Sequence, residues 1–144
     1  MSNETKSVLI LCTGNSARSQ MAEGLLKHIS NARYDIESAG TRPIGVSPES
    51  IQVLKEVGID ISSNTSKSVD AFAGREFDYV LTVCDNAREN CPYFPARTKL
   101  VHHAFEDPWL AAGSYEDRLE AFRRVRDKID AYLRNEFVKT FLEA

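Results

Sequence analysis

Ser7-Val8-Leu9-Ile10-Leu11-Cys12-Thr13-Gly14-Asn15-Ser16-Ala17-Arg18-Ser19 is the stretch on which the fold turns. Val8 to Leu11 is continuously apolar rather than alternating, the pattern of a strand covered on both faces. Thr13 to Ser16 has the composition of a turn. Over residues 17–30 the apolar Met21, Leu25, Leu26 and Ile29 then recur at helical spacing, with Gln20, Glu23 and Lys27 on the other face. A buried strand that passes through a short turn into an amphipathic helix is the first half of a βαβ unit.

The alternation continues outward from there. Residues 35–39 read as a second short strand closed by Gly40. Ser47-Pro48-Glu49 opens a helix with a capping residue followed by proline, and Gly58 ends it after Ile51, Leu54 and Val57. Residues 77–83 read as another buried strand, 84–98 as a long polar loop, and 99–101 as a last short strand. Ser114 starts the longest helix, whose apolar stripe is Leu119, Phe122, Val125, Ile129, Tyr132 and Leu133. The pattern predicts an α/β fold: one domain over residues 1–144, an open parallel sheet flanked by helices on both faces. Ligands of such sheets sit at the carboxyl ends of the strands. Cys12 and Cys84 each stand at the end of a predicted strand and should face one crevice.

Composition narrows the function. A chain of 144 residues can bury a core without disulfide or metal support. With 42 % apolar and 27 % charged residues, extended disorder is excluded. A net charge of −3 without a basic block argues against a nucleic-acid partner. No apolar run approaches a membrane span, and Met1 to Lys6 is short and polar, so a cytoplasmic protein is expected. Three cysteines then point to reduced thiols used for chemistry rather than to a disulfide framework.

Cys12 and Arg18 bracket five residues at the strand–turn–helix junction. Five residues suffice to arc around a tetrahedral oxyanion with their N–H groups inward, and Gly14 permits the unusual backbone angles. Thr13, Gly14, Asn15, Ser16 and Ala17 are therefore candidate oxyanion-binding residues, and Arg18 adds a planar fork for two more oxygens. The same positive field favours the Cys12 thiolate, the attacking form of the side chain. Ser19 can donate a hydrogen bond to it. A cysteine ending a strand is more often buried and inert. Its place at a junction where an anion site belongs decides for the catalytic reading.

The run from Cys12 through Arg18-Ser19-Gln20-Met21-Ala22-Glu23-Gly24 resembles the phosphate-binding loop of the low-molecular-weight protein tyrosine phosphatase superfamily. Within it, the thioredoxin-coupled arsenate reductases are the most similar. The resemblance continues through Ser38-Ala39-Gly40, Asp60-Ile61-Ser62, the second cysteine pair and Asp107-Pro108, covering nearly the whole chain. The family often has a further cysteine where Ala17 stands; that residue is not the nucleophile, so the mechanism is untouched.

Cys84 and Cys91 lie seven positions apart in the polar loop. Structural zinc takes four ligands, usually with cysteine pairs two to four residues apart, and the adjacent His102 and His103 are awkward for joint ligation. A redox pair fits better, and no metal is expected. Three accessible cysteines permit an exchange relay. The resemblance implies Cys84 as the second relay thiol and Cys91 as the resolving one, emptied by thioredoxin. It also implies Asp107 rather than Glu106 as general acid, although relatives commonly carry Trp and Gly where His103 and Ala104 stand. The two histidines read as solvated loop residues. Trp109 and Tyr115 either line the mouth of the site or cover the long helix. Arg123, Arg124 and Arg126 read as a solvated helix face pairing with Glu120, Asp127 and Asp130.

The resemblance thus implies an arsenate reductase without organic cofactor, taking arsenate as a phosphate-like oxyanion and thioredoxin as reductant. Two other readings stand beside it. One is a phosphatase using Cys12, Arg18 and Asp107. The other is a non-enzymatic oxyanion-binding module, which would need neither the thiol nor the Asp-Pro acid. Relatives can also bind potassium beside the loop, at positions matching Asn15, Glu23 and Ser38 plus an aspartate. Here Thr65-Ser66-Lys67 puts a lysine in the aspartate's place. Its ammonium either takes over the ion's role, neutralising Glu23 and holding Asn15, or stands solvated in the loop.

Overall fold

The apolar run that opens the chain becomes the centre of the sheet. In the computed structural model, which describes residues 5–85 and 93–143, strand β1 (Ser7–Cys12) pairs in parallel with β2 (Asp35–Gly40) on one side and β3 (Tyr79–Thr82) on the other. β4 (Lys99–His102) extends the sheet in parallel beyond β3, giving the order β2-β1-β3-β4. Val8 and Ile10 pack on one face against Met21, Leu25 and Leu26 of helix α1 (Arg18–Ile29) and against Phe122, Val125 and Ile129 of α3 (Tyr115–Tyr132). Leu9 and Leu11 pack on the other face against Phe72, Phe77 and Phe94. Burial on both sides is why the strand shows no alternation.

Helices lie on both faces but unequally. α1, α2 (Pro48–Lys55) and α3 share the first face, whereas among the described residues only a 3-10 turn at Val69–Phe72 supplies helix on the second. The caps follow the sequence signals. The Ser47 hydroxyl accepts from Ser50 N at the start of α2, with Pro48 in the first turn, and Ser114 forms a capping box with Asp117 at the start of α3. Beyond Tyr132 the helix widens into π-type turns over Leu133–Leu142, a continuation the stripe ending at Leu133 does not predict. Bonding from residue i to i+5 suits apolar residues spaced four to five apart, and it buries Leu133, Phe137, Val138 and Leu142. None of the described helices is long and apolar enough to cross a membrane.

Candidate active site

β1 delivers Cys12 to the carboxyl edge of the sheet, and residues 13–17 turn back into α1. Asn15 takes φ 46°, a left-handed conformation that asparagine tolerates better than most side chains. The carbonyls of this loop are tied outward. Those of Thr13, Gly14 and Ser16 accept from the N–H groups of Arg42, Ile44 and Ser47 at 2.9, 3.1 and 3.1 Å. The Asn15 carbonyl accepts from the Ser66 hydroxyl at 2.6 Å. In a planar trans peptide the N–H opposes the C=O, so the N–H groups of Gly14, Asn15, Ser16 and Ala17 point inward. Among the described residues they have no acceptor within the protein. No side chain caps α1, so its first-turn donors and positive end add to the same bowl.

A cavity of about 270 Å³ opens above this bowl, with Cys12 at its floor and Arg18, Arg42, Ile44, Asp107 and Trp109 among its walls. Cys12 is buried and carries a free thiol, with Sγ 2.9 Å from Ser19 Oγ. Arg18 is also buried. Its Nη1 donates to the Phe105 carbonyl at 3.2 Å, and its Nη2 lies 3.8 Å from Asp107 Oδ2. Asp107 is held at the cavity wall because its Oδ1 accepts from Trp109 N at 3.0 Å. Glu106 is placed otherwise. Its carboxylate accepts from Lys128 at 2.8 Å, a bond that holds it below the usual carboxylate range, and it does not line the cavity above Cys12.

Cys84 lies two residues past β3, fully buried in the same core cluster as Cys12, and is disulfide-bonded. It does not line the cavity above Cys12. Cys91 lies outside the described residues. Trp109 fulfils both of its expected roles, lining the cavity and meeting Phe122 edge-on at 5.5 Å. Tyr115 is exposed under the Arg118 guanidinium.

Several side chains stand elsewhere than the sequence pattern suggests. His103 is no solvated loop residue: it stacks on Tyr132 at 3.9 Å, and burial pushes the Tyr132 hydroxyl up to about 12. Arg123 and Arg126 keep expected partners on their own helix, Glu120 and Asp127, and both also reach across to Glu56 at the end of α2. Gln20 and Glu23, assigned by helical spacing to the polar face of α1, are both buried behind the loop. No periodic or motif signal in the sequence marks Arg42 and Ile44; they belong because their N–H groups hold the loop.

The chain matches the low molecular weight phosphotyrosine protein phosphatase family over residues 7–142. It is 43 % identical over 138 residues to a protein of Halalkalibacterium halodurans named arsenate reductase, covering 96 % of each chain. It is 42 % identical over 137 residues to the arsenate reductase of Bacillus subtilis, covering 95 % of this chain and 98 % of that one. Among solved structures it is similar to an arsenate reductase in the phosphate-binding state, with TM-score 0.77, 32 % identity, and 94 % and 98 % of the two chains covered.

Proposed function

The chain belongs to the low molecular weight phosphotyrosine protein phosphatase family, and on that premise we propose that it is a cytoplasmic arsenate reductase regenerated by thioredoxin. The observation that carries this reading is the free Cys12 thiol beneath a bowl of inward N–H groups, walled by Arg18 and Asp107, in a chain closely related to proteins named arsenate reductase. Arsenate sits in the bowl through the inward N–H groups of residues 14–17 and the Arg18 fork. The Cys12 thiolate attacks arsenic, and Asp107 protonates the departing oxygen. Cys84 then attacks Cys12 Sγ, the sulfur–arsenic electron pair stays on arsenic, and arsenite leaves. Cys91 attacks Cys84, freeing Cys12 and leaving a disulfide for thioredoxin to reduce. This sequence ends with Cys12 free and Cys84 oxidised, the states the two described cysteines hold.

The cavity extends beyond the bowl between Ile44 and Trp109, which favours a second, slower activity on aryl phosphates at the same thiol. One experiment separates the two. Arsenate is expected to drive oxidation of reduced thioredoxin by the protein, one equivalent for each arsenite formed. Hydrolysis of an aryl phosphate with no arsenate-dependent thioredoxin oxidation would make the protein a phosphatase instead.

A further inference from the structure

Behind the bowl, a buried chain of hydrogen bonds has only one possible direction. Asn15 Nδ2 lies 2.8 Å from Ser19 Oγ and 2.9 Å from Ser38 Oγ, and an amide nitrogen can only donate. Ser38 passes its own hydrogen to Glu23 Oε1 at 2.6 Å. Asn15 therefore offers Ser19 no acceptor, and the Ser19 hydrogen is left to the Cys12 sulfur at 2.9 Å. Were the Asn15 amide turned over, its oxygen would face Ser19 and draw that hydrogen away from the thiolate.

Two donors prevent the turn. Asn15 Oδ1 accepts from Lys67 N at 2.8 Å and from Gln20 Nε2 at 3.0 Å, so a turned amide would set its NH2 against both. Gln20 is itself fixed: its Nε2 also donates to the Thr65 carbonyl at 3.1 Å, and its Oε1 accepts from Asn64 Nδ2 at 3.0 Å. The Lys67 contribution is backbone, which leaves Gln20 as the side chain that sets the orientation. Gln20 is fully buried and does not line the cavity.

We propose that Gln20 is a positioning residue for the nucleophile: by pinning the Asn15 amide it obliges Ser19 to donate to the Cys12 thiolate. This rests on Cys12 being the nucleophile. The test reads the thiolate directly, as the rate of Cys12 alkylation by iodoacetamide against pH in the full, ligand-free chain, so its outcome is independent of whether arsenate is reduced. Gln20→Glu replaces the donor with an acceptor and favours the turned amide. Gln20→Met removes the donor without adding charge, and keeps the test open should the first variant not fold. Each is expected to move the midpoint of the pH profile up by about one unit, the scale of losing one hydrogen bond to a charged group. Ser19→Ala alone should move it likewise, and adding either Gln20 change to Ser19→Ala should move it no further. An unchanged midpoint in the Gln20 variants would overturn the proposal. So would a full additional shift in the Ser19→Ala background, since Gln20 would then act by charge or by distorting the loop.

Discussion

Gly40 ends β2 directly against the anion loop. A Cβ there would fall on the Thr13 carbonyl oxygen and lie 2.9 Å from both Cys12 O and Asn15 N. All three are backbone atoms, so no flexible side chain can give way. Gly40→Ala is expected to spread the bowl, weakening phosphate binding about tenfold or more and costing roughly 1–3 kcal/mol of stability. Calorimetric titration with phosphate and urea unfolding check the two parts; unaltered phosphate affinity would contradict the first. Cys12→Ser is expected to abolish arsenate reduction and aryl-phosphate hydrolysis together, because a hydroxyl there is not ionised near neutral pH. Assays of both substrates check it. Cys91→Ala should convert about one equivalent of arsenate, then stop, with phosphatase activity intact. Sustained turnover with thioredoxin as sole reductant would contradict the assigned order. Cys12 and Arg18, which line the cavity, are legible in the sequence because they bracket one contiguous strand–turn–helix motif, whereas Asp107 comes from the family resemblance alone. Gln20 is not. A polar residue on an amphipathic helix reads as solvent-facing until Asn64 and Thr65, more than forty positions away, close over it.

Helix pairing shows the same limit at the level of elements. The stripe of α3 is readable from 3.6-residue spacing, and the residues it names are all buried. Which element the arginines opposite that stripe would meet is not encoded locally. Arg123 and Arg126 bind Glu56, and Arg126 Nη1 also donates to the Val53 carbonyl at 2.9 Å, so they tie α3 to the end of α2. The Arg123 hydrogen bonds, joined by those from Arg126, lower the Glu56 carboxyl from its ordinary value of 4.5 to about 2. A group depressed in the folded state contributes its stability above the unfolded value and loses it as pH falls towards the folded one. Solvent screens this exposed cluster, so its contribution stays near about 1 kcal/mol. Glu56→Gln is therefore expected to cost that amount at pH 7, and the gap should narrow as pH drops below about 4.5. Urea unfolding of parent and variant across that range measures it; a gap constant down to about pH 3 would mean that the charge of Glu56 is not what holds the helices.

Over the whole molecule, the parallel α/β architecture follows from alternation along the chain, whereas the unequal cover of the two sheet faces comes from packing at Phe72, Phe77 and Phe94. The same kind of long-range closure decides whether the folded protein responds to potassium. Asn15, Ser38 and Glu23 do form one chain behind the bowl, but Asn15 turns its NH2 rather than its oxygen towards Ser38, which donates in turn to Glu23. Lys67 Nζ stands 4.0 Å from Glu23 Oε1 and 3.9 Å from Glu37 Oε1, while Lys27 Nζ binds Glu23 Oε2 at 2.7 Å. The buried Glu23 carboxylate is thus faced by two ammonium groups. Asn15 is held by the Lys67 backbone N–H, not by the ammonium that the sequence suggested. These residues do not fit a potassium ion, since an inward N–H and two cations would oppose it. At fixed ionic strength, melting temperature and the Michaelis constant for arsenate should therefore match in potassium and in tetramethylammonium. Lys67→Asp exchanges one of the two cations for an oxygen donor beside Glu23. That variant should lose stability in tetramethylammonium and recover part of it in potassium. A potassium-specific rise in the melting temperature of the parent protein would show that the ammonium groups leave room for the ion after all.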